Sequence, residues 1–292
     1  QRSQASEEAF VQAMVGQALD VQDSLLFSRR AVDSPPPAAD RTPILQVQNL
    51  GVRLRSGAPL LQNCTFQIQP GEIFGVAGVA GNGQRPLAEA IMGIRSPAQG
   101  RALVAGVDVS ATGTVKLLEN LVTYIPEDRV QDGYLPTANV AQNLILGFHR
   151  RTPYSRNGFL NWKSIFQTAR RLIAEYNIMT PGPDDLAAHL SGGNIQRVMI
   201  ARAFSYPSKL VVAHNPSRGL DIPSMEFVYG KLLARKAEGG ATLLISEDLD
   251  ELLLLCDRIA TLYRGQVVGI LPRSDFDKYK IGRMMSGVDD GL

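Results

Sequence analysis

The run Ile73-Phe74-Gly75-Val76-Ala77 passes directly into Gly78-Val79-Ala80-Gly81-Asn82-Gly83, and no other stretch of this chain constrains the fold as tightly. A short unbroken apolar run predicts a strand buried on both faces, and the glycines after it predict a tight turn. Residues 86–92 then have helical spacing, with Pro86 where a first helical turn tolerates proline. Strand, glycine turn and helix in that order bring backbone N–H groups together at a helix N-terminus. That geometry suits phosphate oxygens, and Gly78, Gly81 and Gly83 are the residues expected to form the turn. The glycine spacing alone is common to many turns, so the flanking sequence has to decide.

The flanks alternate strands with helices. Residues 44–47 and 64–68 alternate like strands, and Pro70-Gly71 reads as a turn. Residues 210–213 and 241–245 read as buried strands with a helical stretch, 226–236, between them. Residues 162–176 have helical periodicity, and Tyr263-Arg264-Gly265-Gln266-Val267 predicts a late hairpin. This alternation predicts a mainly parallel α/β core. Residues 1–16 look helical, with Phe10, Val11, Met14 and Val15 on one side, and Pro35-Pro36-Pro37 reads as an extended linker. Val11 to Gly16 is similar to Gly282 to Gly287. We therefore expect residues 1–42 to be the tail of a preceding unit plus a linker, and 43–292 to be the folded body. The start at Gln1 without an initiator Met fits a piece of a longer product.

Composition narrows the function classes. At 292 residues and 45% hydrophobic content the chain can bury a sizeable core. A formal charge of +2 argues against nucleic-acid binding through a broad basic surface. Cys64 and Cys256 are far apart in apolar runs, which favours buried thiols over a disulfide or metal pair, and no metal site is expected. Apolar runs such as 252–255 fall far short of the roughly 20 residues that span a bilayer. No secretory leader is visible.

Three further segments follow the glycine loop in a fixed order. They are Leu190-Ser191-Gly192-Gly193-Asn194-Ile195-Gln196-Arg197, then His214-Asn215-Pro216-Ser217-Arg218-Gly219-Leu220-Asp221, then Leu243-Leu244-Ile245-Ser246-Glu247-Asp248. Together with Ile125-Pro126-Glu127-Asp128-Arg129, they resemble the second ATPase cassette of bacterial tandem ATP-binding-cassette (ABC) importers of the simple-sugar and nucleoside group. Gly158-Phe159-Leu160-Asn161-Trp162 and Thr180-Pro181-Gly182 resemble the nucleoside branch.

The resemblance implies an ABC ATPase cassette, an α/β P-loop core with an antiparallel β portion and an inserted helical subdomain near 140–205. It implies that Gly78, Gly81, Asn82, Gly83, Gln84 and Arg85 form the nucleotide loop, that Glu127 and Asp128 form the Q-loop region, and that 190–197 is the signature. Against the family pattern, Gln84 stands for the P-loop Lys and Arg85 for the Mg²⁺-binding Ser or Thr. His214 stands for the Mg²⁺-holding Asp, Asn215 for the general-base Glu, and Glu247 for the switch His. The loss of the lysine alone removes a charge-assisted bond of about 1.5–3 kcal/mol. With the metal-side groups and the base also gone, this half is expected not to hydrolyse ATP at its own loop. Two readings of Arg85 stand. Its guanidinium replaces the metal, or it pairs with a carboxylate such as Glu247 or Asp128.

The signature and Asp221 are unaltered. Ser191 alone could be an ordinary helix cap. Within the resemblance, Ser191, Gly192, Gly193 and Asp221 act in trans on ATP held by a partner cassette, expected upstream on the same polypeptide. Mg²⁺ is expected at the partner's site and doubtful at this one. The further partners implied are membrane permease subunits and, indirectly, an extracytoplasmic solute-binding protein, with no nucleic acid. The location implied is the cytoplasmic face of the bacterial cell membrane, peripherally bound, in uptake of a small polar solute, a nucleoside before a simple sugar. Non-transport alternatives are a ribosome- or DNA-acting tandem protein, which usually carries a long charged linker or coiled coil, and a silent scaffold. His149, His189, Trp162 and Arg55 are read as surface or packing residues; the adenine-stacking aromatic expected near 52–55 is absent.

Overall fold

A computed structural model describes residues 42–288. The expected preceding tail and linker, up to residue 41, lie outside the described residues. Two sheets organise the rest. The first is antiparallel, with strands in the order β2 (Pro59–Ile68), β1 (Leu45–Arg53), β4 (Gln99–Val104) and β5 (Val107–Asp108). The second has six strands. From one edge these are β12 (Gln266–Pro272), β11 (Arg258–Tyr263), β3 (Ile73–Ala77), β10 (Ala241–Ser246), β9 (Leu210–His214) and β6 (Val122–Ile125). All its neighbours are parallel except the β11–β12 hairpin.

Strands β3, β9 and β10 are buried at every position, as unbroken apolar runs in a covered parallel sheet should be. Helices cover both faces. They are α1 (Gln84–Ile91), α2 (Val109–Thr112), α3 (Thr114–Asn120), α4 (Val140–Leu144), α5 (Trp162–Glu175), α6 (Gly192–Phe204), α7 (Ile222–Ala237), α8 (Leu249–Leu255) and α9 (Lys278–Met285). One hydrophobic core joins the antiparallel sheet, α1 and one face of the central sheet, through Leu45, Phe74, Leu87 and Ile245. The other joins the opposite face to α4–α8, through Ile73, Leu144, Met199 and Leu252. A two-stranded hairpin, β7 (Ser155–Arg156) with β8 (Phe159–Leu160), precedes α5.

Gly75 shows why a glycine interrupts β3. A Cβ there would lie 2.8 Å from the Cys256 sulfur, so the strand and the end of α8 approach too closely for any side chain. Cys64 and Cys256 are both buried free thiols. Among the described residues, no helix is long and apolar enough to cross a membrane.

Candidate functional site at the strand C-termini

Strands β3, β10, β9 and β6 are consecutive neighbours and parallel, so the loops after them meet at one edge of the sheet. Such an edge is where open α/β sheets form their binding crevices. This topology is what brings the glycine loop, His214-Asn215, Glu247 and Glu127 together from distant parts of the sequence. The glycine loop, His214, Glu247 and Glu127 line a cleft of about 630 Å³ with Arg85 and the Arg264 hairpin, and Asn215 joins them through its bond to Glu127.

Gly81 and Gly83 have φ of 88° and 112°, the left-handed region that only glycine enters freely, and Gly83 caps the start of α1. The first N–H groups of α1 have no intrahelical acceptor and face the cleft end of the helix, a donor set that fits phosphate oxygens. Asn82 is used structurally. Its side-chain oxygen accepts from the Arg264 N–H at 2.9 Å and its carbonyl from the Gly265 N–H at 2.8 Å, which fastens the loop to the β11–β12 turn. Gln84 is buried, and its amide nitrogen donates to the Val79 carbonyl at 2.8 Å, inside the loop itself.

The residues on the metal side do not fit Mg²⁺. Arg85 bonds two carboxylates, Glu89 and Asp132, each at 2.9 Å. Arg85 thus pairs with carboxylates, but not with Glu247 or Asp128, the two suggested by sequence. Glu89, one helical turn on from Arg85, also bonds Arg95, and its hydrogen bond raises the Arg85 pKa. His214 is buried, and its Nε2 faces a Glu127 oxygen at 3.6 Å. Burial drives its pKa below 6.5, against the opposing pull of Glu127. Glu127 also accepts from the Asn215 amide at 3.3 Å and from Arg218 at 3.1 Å. Asn215, at φ 47°, accepts the Glu247 backbone N–H at 3.1 Å. An arginine and a neutral, carboxylate-facing histidine offer no oxygen ligands of the kind Mg²⁺ takes. Among the described residues, no group of three or more His, Cys, Asp or Glu side chains is placed to hold a metal.

The signature does not line this cleft. Ser191 caps α6, accepting from the Asn194 backbone at 3.4 Å and its side chain at 3.0 Å. Ser191, Gly192 and Gly193 are exposed, and a Cβ on Gly193 would meet nothing within 4 Å. Asp221 caps α7 through the Ser224 N–H, and the bond to Ser224 lowers its pKa. Asp128 caps the short π-helical turn Arg129–Gly133.

A family model described as ABC transporter matches residues 61–218. The chain belongs to the ABC transporter family. It is 34% identical over 84% of its length to the nucleoside import ATP-binding protein NupA of Lactococcus lactis subsp. cremoris. It is 33% identical, again over 84%, to the guanosine import ATP-binding protein NupO of Bacillus subtilis, and 30% identical over 95% to a ribose import ATP-binding protein of Rubrobacter xylanophilus. The cassette spans about half the length of the curated relatives it matches, 48% for NupA and NupO and 52% for the ribose protein. By shape it matches a dimeric ATP-binding cassette solved with ADP and Pi, at a TM-score of 0.68 and 18% identity over 80% of this chain and all of the other. The shape match establishes the fold, a P-loop ATPase cassette of mixed α and β structure.

Sequence reasoning missed several groups that organise the cassette's cleft. Asp132 and Glu89 hold Arg85, and Arg129 reaches the Gly192 carbonyl at 3.4 Å. The i,i+4 spacing of Arg85 and Glu89 was available as a helical signal; nothing local marks Asp132. His189 pairs with Asp185 on the surface, and Trp162, 41% exposed, leans on Phe166 at the start of α5.

Proposed function

We propose that this cassette is one half of an asymmetric two-cassette ATPase that powers import of a small polar solute. In this reading its signature, Ser191-Gly192-Gly193, and Asp221 complete the ATP site of a second cassette, expected upstream on the same polypeptide. Its own cleft is catalytically silent. One contrast carries the reading. Arg85 and His214 are engaged by carboxylates at the cleft, whereas Ser191, Gly192 and Gly193 are exposed at a helix N-terminus. A helix N-terminus with open backbone approach favours an anionic group brought by another molecule, which here is the terminal phosphate of the partner's ATP. Mg²⁺ belongs with that ATP and not with the present cleft.

The names of NupA and NupO support a nucleoside as solute, and the ribose relative supports the second choice, a simple sugar. Permease subunits, a solute-binding protein and a peripheral position at the cytoplasmic membrane face follow from the same relatives' import role.

Ser191→Arg in the assembled importer tests the mechanism. Loss of one oxyanion-type donor lowers turnover by about 100-fold or more, and the bulk of arginine adds to that. ATP hydrolysis and uptake that survive Ser191→Arg would show that the signature serves no partner. Stimulation of that ATPase by nucleoside-loaded against ribose-loaded binding protein decides the solute class.

A further inference from the structure

Between the cleft and the signature runs a single stretch of chain, residues 126–133, and three of the altered residues have their partners in it. Arg85 bonds Asp132 at 2.9 Å. His214 faces Glu127 at 3.6 Å, and the Asn215 amide donates to the same carboxylate at 3.3 Å. Arg218 adds a third bond to Glu127, at 3.1 Å. The links therefore sit at both ends of the stretch.

The other side of the same stretch is fastened to α6, the helix that begins with the signature. Arg129 donates to the Gly192 carbonyl at 3.4 Å. The Gly133 carbonyl accepts from the buried Arg202 at 2.7 Å, and Gly133 packs directly against the Met199 side chain. A continuous set of contacts thus runs from α1 and β9, through residues 126–133, to the first residues of α6.

We propose that Arg85, His214 and Asn215 are positioning residues. They brace residues 126–133 against the strand edge and so hold Ser191, Gly192 and Gly193 in one orientation with no nucleotide in this cassette's own cleft. The proposal rests on the reading that the signature serves a partner's ATP. It gives the substitutions a positive role: side chains that meet directly across the cleft need no ligand to join them. Each exposed ion pair is weak, shifting an equilibrium by up to about fivefold. The buried His214 and the convergence of Asn215 and Arg218 on one carboxylate make the brace a network rather than a lone pair.

The test uses spin labels, one on the antiparallel sheet at Gln67→Cys and one on α5 at Arg170→Cys, both exposed sites. Cys64 and Cys256 are fully buried and do not compete for label. Pulsed EPR should give one narrow distance distribution for this chain, unchanged by Mg-ATP. Asp132→Asn with Glu127→Gln should broaden it, with the minor population rising about two- to fivefold for each link removed. Arg85→Lys, which keeps a cation opposite Asp132, should leave the distribution narrower than Arg85→Ser does. Thermal melts of each variant confirm folding. A distribution that shifts with Mg-ATP in the parent chain, or stays narrow in the double variant, overturns the brace. Ser191→Arg should leave the distances unchanged and abolish partner hydrolysis. If hydrolysis survives that change while the double variant broadens the distances, the signature reading fails and the brace stands.

Discussion

Asp257→Ala should be among the most damaging single changes in this cassette, and the structure gives its size. The Lys236 ammonium and the Asp257 carboxylate meet at 2.5 Å with their side chains only 8% and 6% exposed. The second Asp257 oxygen accepts the Ile73 N–H at 2.9 Å. Ile73 opens β3, the strand that delivers the glycine loop, so this one carboxylate both neutralises α7's lysine and sets the first residue of β3. Alanine leaves an ammonium buried without a counter-charge, which costs about 3–5 kcal/mol, and an unpaired N–H worth about 1–3 kcal/mol. The terms share a site and do not simply add. A loss of about 4 kcal/mol is the reasoned value, or about 8–16 °C in Tm at 2–4 °C per kcal/mol for a domain of this size. Replacing both partners by apolar residues, Lys236→Met with Asp257→Leu, removes the stranded charge and should recover about half of the loss. Urea titrations of the single and double variants measure the two values. The reasoning fails if Asp257→Ala costs less than about 1 kcal/mol, or if the double variant is no more stable than the single.

Other predictions concern the cleft and the signature. Gly193→Ala should melt like the parent, because a Cβ there meets nothing within 4 Å, yet cut partner ATP hydrolysis about 10- to 100-fold by displacing the phosphate contact; calorimetry and ATPase assays on the same preparation separate the two effects. Burial holds the His214 pKa below 6.5, so in acid the unfolded chain takes up a proton that the folded one resists. Stability should therefore fall as pH drops below about 6.5, and His214→Gln should flatten that slope in denaturation midpoints at pH 7.5 and 5.5. Glu251 has the opposite sign. Burial raises its pKa, and although Ser217, Ser246 and Tyr229 lie near, neither carboxylate oxygen makes a hydrogen bond. Its contribution is present in acid and lost as pH rises through the folded value, so Glu251→Gln should raise Tm at pH 8 and give no advantage at pH 4.

The sequence was most legible where burial leaves a continuous signature. Strand β3 has the bounds expected from its apolar run, and β9 and β10 differ by one residue at the C-terminal end. Helix α5 ends one residue earlier than its periodicity suggests. No strand is legible in residues 99–125, because β4 has its first three residues exposed and β6 has only four residues, with Pro126 directly after it. The glycine loop and the signature are each one continuous stretch of sequence, and each motif is legible directly. The partners of the altered residues are not. Asp132 lies 47 positions from Arg85, and Arg218 lies 91 from Glu127, so the topology alone decides that they meet.

That topology also explains why the altered positions draw their partners from one stretch of chain. An Asp at 214, the residue the family pattern has there, would place a second carboxylate against Glu127, whose oxygen stands 3.6 Å from the present imidazole. Removing Arg85 at the same edge would leave Glu89 with Arg95 alone and Asp132 with no cation opposite it. A Glu at 215 would replace the amide that now donates to Glu127 and accepts from the Glu247 backbone, adding repulsion at a third point. Like charges this close in a partly buried cleft repel each other. Each substituted side chain is held by carboxylates outside the altered set, Glu89 and Asp132 for Arg85 and Glu127 for His214 and Asn215. The exposed signature carries one tie to this network, the Arg129 bond to the Gly192 carbonyl; Gly193 has no neighbour to accommodate, and Ser191 caps its own helix. Its exposed face stays open to a group arriving from outside while that one tie sets its orientation, and the cleft's side chains are shaped by one another.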